Sequence, residues 1–160
     1  MTINWLSLVI GVVIGLLIMG ALVWLMMPSM MLVRHKTGQG YGDVLAKLNE
    51  ILSKKGDWKV VHTNDYQQTT ANFAALEKVC SVNVCNLRYA ARILDEDGNR
   101  GVTAFMPLSL GVYEDKHGKV YISQLNVGLL GMMFGGTIAK VMKMAGKDIN
   151  EVVGSIIALK

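Results

Sequence analysis

One apolar segment near the N-terminus constrains this chain more than any other feature. Residues 5–27 read WLSLVIGVVIGLLIMGALVWLMM and contain no charged side chain, and the first charge downstream is Arg34. As an α-helix, a segment of this length extends about 34 Å, whereas the hydrocarbon core of a bilayer is about 30 Å thick. Trp5 and Trp24 lie near its two ends, where indole rings favour the membrane–water boundary. The segment therefore predicts a single transmembrane helix, with an anchor at residues 1–29.

Two other kinds of apolar segment have to be compared with a membrane span. A secretory signal begins with basic residues and has a shorter apolar region, but residues 1–4 contain no Lys or Arg. A buried helix of a soluble protein rarely stays apolar on every side over this length. Both comparisons favour the span, and Pro28 predicts its end because proline cannot continue the helical hydrogen-bond ladder without loss.

Small residues recur on one face of the predicted span. Ser7, Gly11 and Gly15 are spaced by four positions, and the two glycines form a GxxxG motif. Such a motif lets two helix backbones approach closely in lipid. It predicts that the helix associates with a second copy or docks on another membrane subunit.

The rest of the chain, residues 30–160, has the length of one soluble domain. The formal net charge of +4 is carried by this part, where it is modest and scattered, so we do not expect nucleic-acid binding. Arg34, Lys36 and Lys47 follow the predicted span, and no Lys or Arg precedes it. By the positive-inside rule this favours an inner-membrane protein with a cytoplasmic domain, with a periplasmic domain as the alternative.

Hydrophobic periodicity along the domain predicts alternating strands and helices in the order β-α-β-α-β-α-β-β. This order is typical of an α+β fold with two layers, in which helices cover one face of a mainly antiparallel sheet. Asn86 is expected to cap the third helix, with an inner face at Leu87, Ala90, Ala91 and Leu94. The predicted strands are residues 30–36, 57–63, 78–84, 102–114 and 119–125, and the first two helices are residues 41–52 and 65–76.

Pro107 lies inside the fourth predicted strand, where its missing N–H donor predicts a bulge or an edge position. Near the C-terminus, Asp148 followed by Glu151 predicts the start of a last helix.

Residues 126–146 are unusual because they contain no acidic side chain. Lys140, Lys143 and Lys147 recur on one helical face, opposite an apolar face. Three interpretations are open: a helix that covers the sheet, a helix that lies on the bilayer with its lysines toward the headgroups, and a flexible Met-rich lip for a ligand.

The cysteines and histidines are the candidates for redox or metal chemistry. Cys80 and Cys85 lie on one predicted strand with opposite parity, so we expect two free thiols on opposite faces. Cys85 precedes a helix N-terminus, which can lower a thiol pKa, and the alternative is a small buried hydrophobe. His35, His62 and Cys85 have the ligand types for haem or copper, but their spacing does not assemble a site, so no cofactor is predicted.

Several short motifs occur in a characteristic order. Residues 85–94 read CNLRYAARIL, residues 105–108 FMPL and residues 111–114 GVYE, followed by GKVYI at 118–122. Gly128-Leu-Leu-Gly131 and Phe134-Gly-Gly136 complete the series. Over residues 30–144 the chain resembles family 302 of the domains of unknown function, in its membrane-anchored form. The resemblance implies a small α+β domain, usually bacterial, that pairs readily into homodimers and has no established activity.

The resemblance also directs attention to four residues. In the family, the Cys-Asn pair is commonly followed by Pro, and a second cysteine often follows Met-Pro. Here Cys85 and Asn86 are kept, whereas Leu87 and Leu108 replace the proline and the second cysteine. A ligand or thiol site is therefore expected at Cys85, Asn86, Met106 and Pro107, without two-thiol chemistry.

Two functions follow as hypotheses, since the sequence contains no nucleophile elbow, P-loop or HExxH motif. The first is a membrane-anchored, non-catalytic interaction protein or accessory subunit, with the bilayer and a homo-oligomer or membrane complex as partners. The second is a thiol-, metal- or haem-binding domain around Cys85 that handles a small sulfur or redox ligand.

Overall fold

The computed structural model describes residues 5–158, so residues 1–4 and 159–160 of the predicted anchor and domain lie outside the described part. A long N-terminal helix leads directly into a domain of strands and helices. The strands are β1 (Leu32–Lys36), β2 (Trp58–Asp65), β3 (Val79–Asn86), β4 (Leu108–Glu114) and β5 (Val120–Leu125). The helices are α1 (Trp5–Met31), α2 (Tyr41–Lys54), α3 (Tyr66–Thr69), α4 (Leu87–Leu94), α5 (Val127–Gly131) and α6 (Gly136–Ala158), with a 3-10 segment at Asp97–Phe105.

The strands form one antiparallel five-stranded sheet in the order β1-β5-β4-β3-β2. Residues of one parity, such as Cys80, Val82 and Val84 of β3, are buried, and their neighbours are only half-buried. The buried parity packs against Leu48 of α2 and Ile149 of α6 in one apolar core. This confirms the predicted α+β fold, in which an apolar N-terminal helix precedes a single antiparallel sheet.

The sheet has two ends that matter for function. We call the end at which β1 begins the proximal end, because α1 joins it there, and the other the distal end. Leu32 of β1 pairs with Leu125 of β5, and Val84 of β3 pairs with Leu108 of β4 toward the proximal end. The β4–β5 turn at 115–119 and the connection 66–78 both lie at the distal end.

The predicted end of α1 at Pro28 is wrong, because the helix continues through Pro28 to Met31 and β1 begins only at Leu32. Pro28 removes its own N–H donor but leaves the last carbonyls of the helix available. Asn126 satisfies these carbonyls: its backbone N–H donates to Met31 O at 2.8 Å, and its Nδ2 donates to Met30 O at 3.3 Å.

The second predicted helix and the start of the fourth predicted strand also differ from the sequence prediction. The second predicted helix, residues 65–76, is helical only at Tyr66–Thr69. The fourth strand does not start at residue 102, because a 3-10 segment occupies Asp97–Phe105. Pro107 therefore lies immediately before β4, a central strand, and marks neither a bulge nor an edge.

The predicted inner face of α4 is partly wrong. Asn86 caps this helix as expected, since its side chain accepts a hydrogen bond from Tyr89 N at 3.0 Å. However, Leu87 is 55% exposed, and Ile93 is the buried residue of the helix. Leu87 is the first residue of the helix, directly after the Asn86 cap, and its side chain lies outside the buried face.

No new helix starts at Asp148, because α6 is continuous from Gly136 to Ala158. Asp148 lies in its middle, where Oδ2 accepts hydrogen bonds from Trp58 Nε1 at 3.0 Å and Tyr89 Oη at 3.1 Å. The carboxylate thus ties β2 and α4 to α6, which explains an acidic residue at a position that resembled a helix start.

The second half of helix α6 covers the sheet, since Ala145, Ile149 and Val152 belong to the core formed with the strands. The first turns of α6 pack instead on α4 and the 3-10 segment, because Ile138 and Val141 share a cluster with Ile93 and Val102. The first of the three interpretations therefore holds for the end of residues 126–146 only. Lys140, Lys143 and Lys147 are exposed. Gly146 allows a close approach to α5, since a Cβ at this position would lie 3.0 Å from Gly128 N. The short helix α5 is thereby held against the middle of α6.

Two glycines inside α6, at 146 and 154, give a matched test of this contact. Gly154→Ala meets no atom within 4 Å, so we expect it to stabilise the helix by about 0.5–1 kcal/mol. Gly146→Ala places a methyl group against the Gly128 backbone, and we expect a net loss of about 1 kcal/mol. Denaturant unfolding in detergent, followed by circular dichroism, measures both. Equal effects of the two substitutions would contradict the assigned contact.

Candidate functional sites

The structure brings together three of the four residues predicted around Cys85. Cys85, Asn86 and Met106 line one apolar cavity of about 50 Å³, which also contacts Trp58 and Tyr89. Pro107 does not line this cavity but borders a neighbouring one of about 210 Å³. Pockets for drug-sized ligands measure about 300–1,000 Å³, so the cavity beside Cys85 has room only for a very small ligand.

The thiols of this region are held in the protonated form. Burial raises the pKa of the half-buried Cys85 thiol, a shift opposite to the one that a helix N-terminus would produce. Burial also raises the pKa of Cys80, which lies on the other parity of β3. Both cysteines are free, so at neutral pH each behaves as a small apolar side chain with a weak donor.

The proposed metal ligands His35, His62 and Cys85 are not brought together. His35 lies on β1 and His62 on β2, which are the two opposite edges of the sheet. His62 is exposed, and its Nε2 lies 2.7 Å from Asn64 Oδ1. Within residues 5–158, no group of three or more His, Cys, Asp and Glu side chains could hold a metal ion.

Helix α1 presents its small-residue face outward. Ser7, Gly11 and Gly15 are exposed, and a Cβ on either glycine would meet no atom within 4 Å. None of the described residues of α1 is buried, and this is the one helix in residues 5–158 that is long and apolar enough to cross a membrane. The predicted association face is thus not covered by the described part of the chain.

The same face of α1 continues into an apolar groove, which we call the junction groove. It has a volume of about 810 Å³ and lies between the second half of α1 and the α5 region. One wall consists of α1 side chains, and the other is Leu129, Leu130, Met132 and Met133. The α1 wall is formed by Gly15, Ile18, Met19, Leu22, Val23, Met26, Met27, Met30 and Met31.

A second groove, of about 660 Å³, lies between the β1–β5 edge and α6 and was not predicted from the sequence. His35, Lys143 and Lys147 line it, whereas Lys140 does not. Gln124 is 4% exposed; its Nε2 donates to Asn150 Oδ1 at 2.6 Å, and its buried Oε1 has no hydrogen-bond partner among the described residues. The groove offers Lys143 and Lys147 to an anionic group, and Glu151, which also lines it, is paired with Lys55 at 2.9 Å. The sequence signal was Gln124 itself, a polar residue at an inward position of β5.

Comparisons with known proteins agree with the resemblance of the motifs. No curated protein matches the chain. A solved structure, the crystal structure of an uncharacterized conserved DUF302 protein from Bacillus stearothermophilus, superposes with a TM-score of 0.70 at 21% sequence identity. The match covers 80% of this chain and 99% of the other, which shows that the two share a fold. The family model described as domain of unknown function DUF302 matches residues 25–156, and this chain therefore belongs to that family.

Proposed function

We propose that this protein is a membrane-anchored, non-catalytic interaction protein, either an accessory subunit of a membrane complex or a homo-oligomer. The bilayer would hold α1. Exposure of the whole helix supports this, because a core helix of the same composition would be buried against its own domain. Arg34 and Lys36 follow α1 within one strand and favour the cytoplasmic side of a cell inner membrane, with the periplasmic side as the alternative.

The observation that carries the proposal is the uncovered face at Ser7, Gly11 and Gly15. In lipid there is no hydrophobic force between helices, so association depends on close van der Waals contact. Glycines without neighbouring atoms permit that contact with a second helix. The junction groove begins at Gly15 on this face, so a partner helix packed at Gly11 and Gly15 would lie beside the groove.

Two carboxylates with lowered pKa values, Glu151 and Glu50, have structural partners. The hydrogen bond from Lys55 lowers the pKa of Glu151, and the hydrogen bond from Lys54 lowers that of Glu50. Both are surface ion pairs, at 2.9 and 2.6 Å. Such pairs join or reinforce helices and present no acid or base to a substrate.

A glycine on the other side of α1 supplies a control for the association face. We expect the double variant Gly11→Leu, Gly15→Leu to weaken association at least about tenfold, equal to about 1.4 kcal/mol, because two leucines separate the helix backbones. Gly20→Leu adds the same side chain about 140° around the helix from Gly15, also in open space, and should leave association unchanged.

Native mass spectrometry of protein extracted from its own membrane gives the measurement. A partner or second copy present with the wild type and Gly20→Leu, and lost with the double variant, supports the proposal. A wild-type protein that is monomeric and without a partner at every concentration tested contradicts it.

A thiol or soft-metal site at Cys85 is the second candidate, supported by the shared cavity of Cys85 and Met106. Both sulfur atoms are ligand types that Cu(I) prefers, and the two side chains line the same small cavity. The ligand would be a small sulfur compound or a metal ion, since the cavity is too small for haem.

Competition for Cu(I) with a chelator tests this second candidate. If the site binds, Cys85→Ser and Met106→Leu should each weaken binding at least about tenfold, and Cys80→Ala should not. The thiolate is the metal ligand, and burial raises the Cys85 pKa, so affinity should rise with pH through neutrality and above the ordinary thiol pKa of 9.0. Binding that is independent of pH, or equally lost with Cys80→Ala, would exclude Cys85 as the ligand.

A further inference from the structure

The proximal end of the domain exposes a group of large apolar side chains. Met132 and Met133 are each 78% exposed in the turn between α5 and α6. Phe105 is 43% exposed before β4, and Leu32 and Leu125 pair with each other at the start of β1. We call these five residues the proximal apolar patch. Contiguous exposed apolar surface of this kind marks an interaction site in a folded protein.

The segment that carries Met132 and Met133 is free of charged residues, although the carboxylate of Glu96 accepts a hydrogen bond from Thr137 Oγ1 at 2.6 Å. Residues 126–139 contain no Asp, Glu, Lys, Arg or His. The distal turn at 115–119 reads DKHGK and is therefore almost entirely charged or titratable. The distal end also exposes Phe73, in the connection 66–78, so both ends carry apolar surface, but the uncharged segment 126–139 lies at the end that α1 joins.

Contacts of the residues on either side keep Met132 and Met133 at the surface. Asn126 fixes the start of α5, because its Oδ1 accepts a hydrogen bond from Leu129 N at 3.1 Å. Gly131 is packed so closely on α6 that a Cβ there would lie 2.8 Å from Met142 Cβ. After the methionines, Phe134 contacts Phe105 edge to face at 5.9 Å between ring centroids.

Lipid fits the patch better than a soluble partner. The patch is continuous with α1 through the junction groove, in which Met132 and Met133 face the same space as Met26 and Met30. If α1 spans the bilayer, these four side chains lie together at the boundary of the bilayer. Arg34 and Lys140, the first charges after Leu32 and after the methionine turn, would then meet the headgroups.

We propose that the proximal apolar patch enters the bilayer beside α1 and forms a second membrane contact of the domain, with Met132 and Met133 among the acyl chains. This contact rests on the proposed function, because it requires α1 to be the anchor. It would fix the orientation of the domain on the membrane, with the proximal end inserted and the distal turn in water.

Spin labels at single cysteines test the insertion in the full chain. The background is Cys80→Ala, Cys85→Ser, reconstituted in nanodiscs of phosphatidylethanolamine and phosphatidylglycerol, with circular dichroism as the check of folding. The test position is Met133→Cys. The control is Phe73→Cys, since Phe73 is 90% exposed at the distal end, and Leu17→Cys in the middle of α1 reports whether the anchor is inserted.

Collision rates with oxygen, which concentrates in lipid, and with a water-soluble nickel complex give the depth of each label. We expect the label at 133 to collide with nickel several-fold less often than the label at 73, and with oxygen more often. Met132→Cys should give the same result as Met133→Cys, so that one poorly folded variant does not decide the outcome.

Three results would overturn the proposal in distinguishable ways. Nickel access at 133 equal to that at 73, with the label at 17 protected, leaves the anchor intact and rejects the second contact. Protection of 133 from both reagents shows a protein cover, such as a second copy, in place of lipid. Nickel access at 17 shows that α1 does not span, and rejects the proposed function together with the patch contact.

Discussion

Hydrogen bonds of Asn126 join the apolar helix α1 to the domain. A helix C-terminus leaves its last carbonyls without partners, and an N-terminus leaves its first N–H groups free. Asn126 serves both kinds of end: it donates to Met30 O and Met31 O of α1, and its Oδ1 accepts from Leu129 N of α5. Because these bonds come from one side chain and its own backbone, α1, β5 and α5 have fixed relative positions.

Much of the fold could be predicted because it depends on local patterns. Hydrophobic periodicity placed β3 at residues 78–84, and the helical spacing of Val44, Leu48 and Leu52 matches the buried face of α2. The turn after α2 also depends on a local feature, since Gly56 has a positive φ of 59° that side-chain-bearing residues rarely adopt.

The wrong predictions of helix ends occurred where a residue distant in the sequence makes hydrogen bonds that a local pattern does not reveal. Pro28 does not end α1, because Asn126 satisfies the carbonyls beyond it. Asp148 does not start a helix, because Trp58 and Tyr89, far away in the sequence, donate to its carboxylate. The candidate sites show the same difference between local and distant features. The motifs that contain Cys85 and Met106 can be read from the sequence. The groove around Gln124 cannot, because it forms only where β5 lies beside β1 and beneath α6.

The direct passage from α1 to β1 determines which surfaces remain for partners outside the membrane. No linker separates Met31 from Leu32, so the domain cannot rotate freely about the helix. With α1 in a bilayer, the proximal end faces lipid, and the groove lined by Lys143 and Lys147 lies beside the junction, where anionic headgroups or their phosphates are concentrated.

The second face of the sheet is largely uncovered, because α2 and α6 pack on the other face, and α3 reaches this one where Ser81 Oγ donates to Tyr66 Oη at 3.4 Å. Its side chains are mixed: Ser109 Oγ donates to Asn83 Oδ1 at 2.6 Å, and Tyr113 stacks on Tyr121 at 5.3 Å between ring centroids. A second copy or another subunit on this face would therefore meet hydroxyl, amide and aromatic groups, whereas contacts at α1 would be apolar.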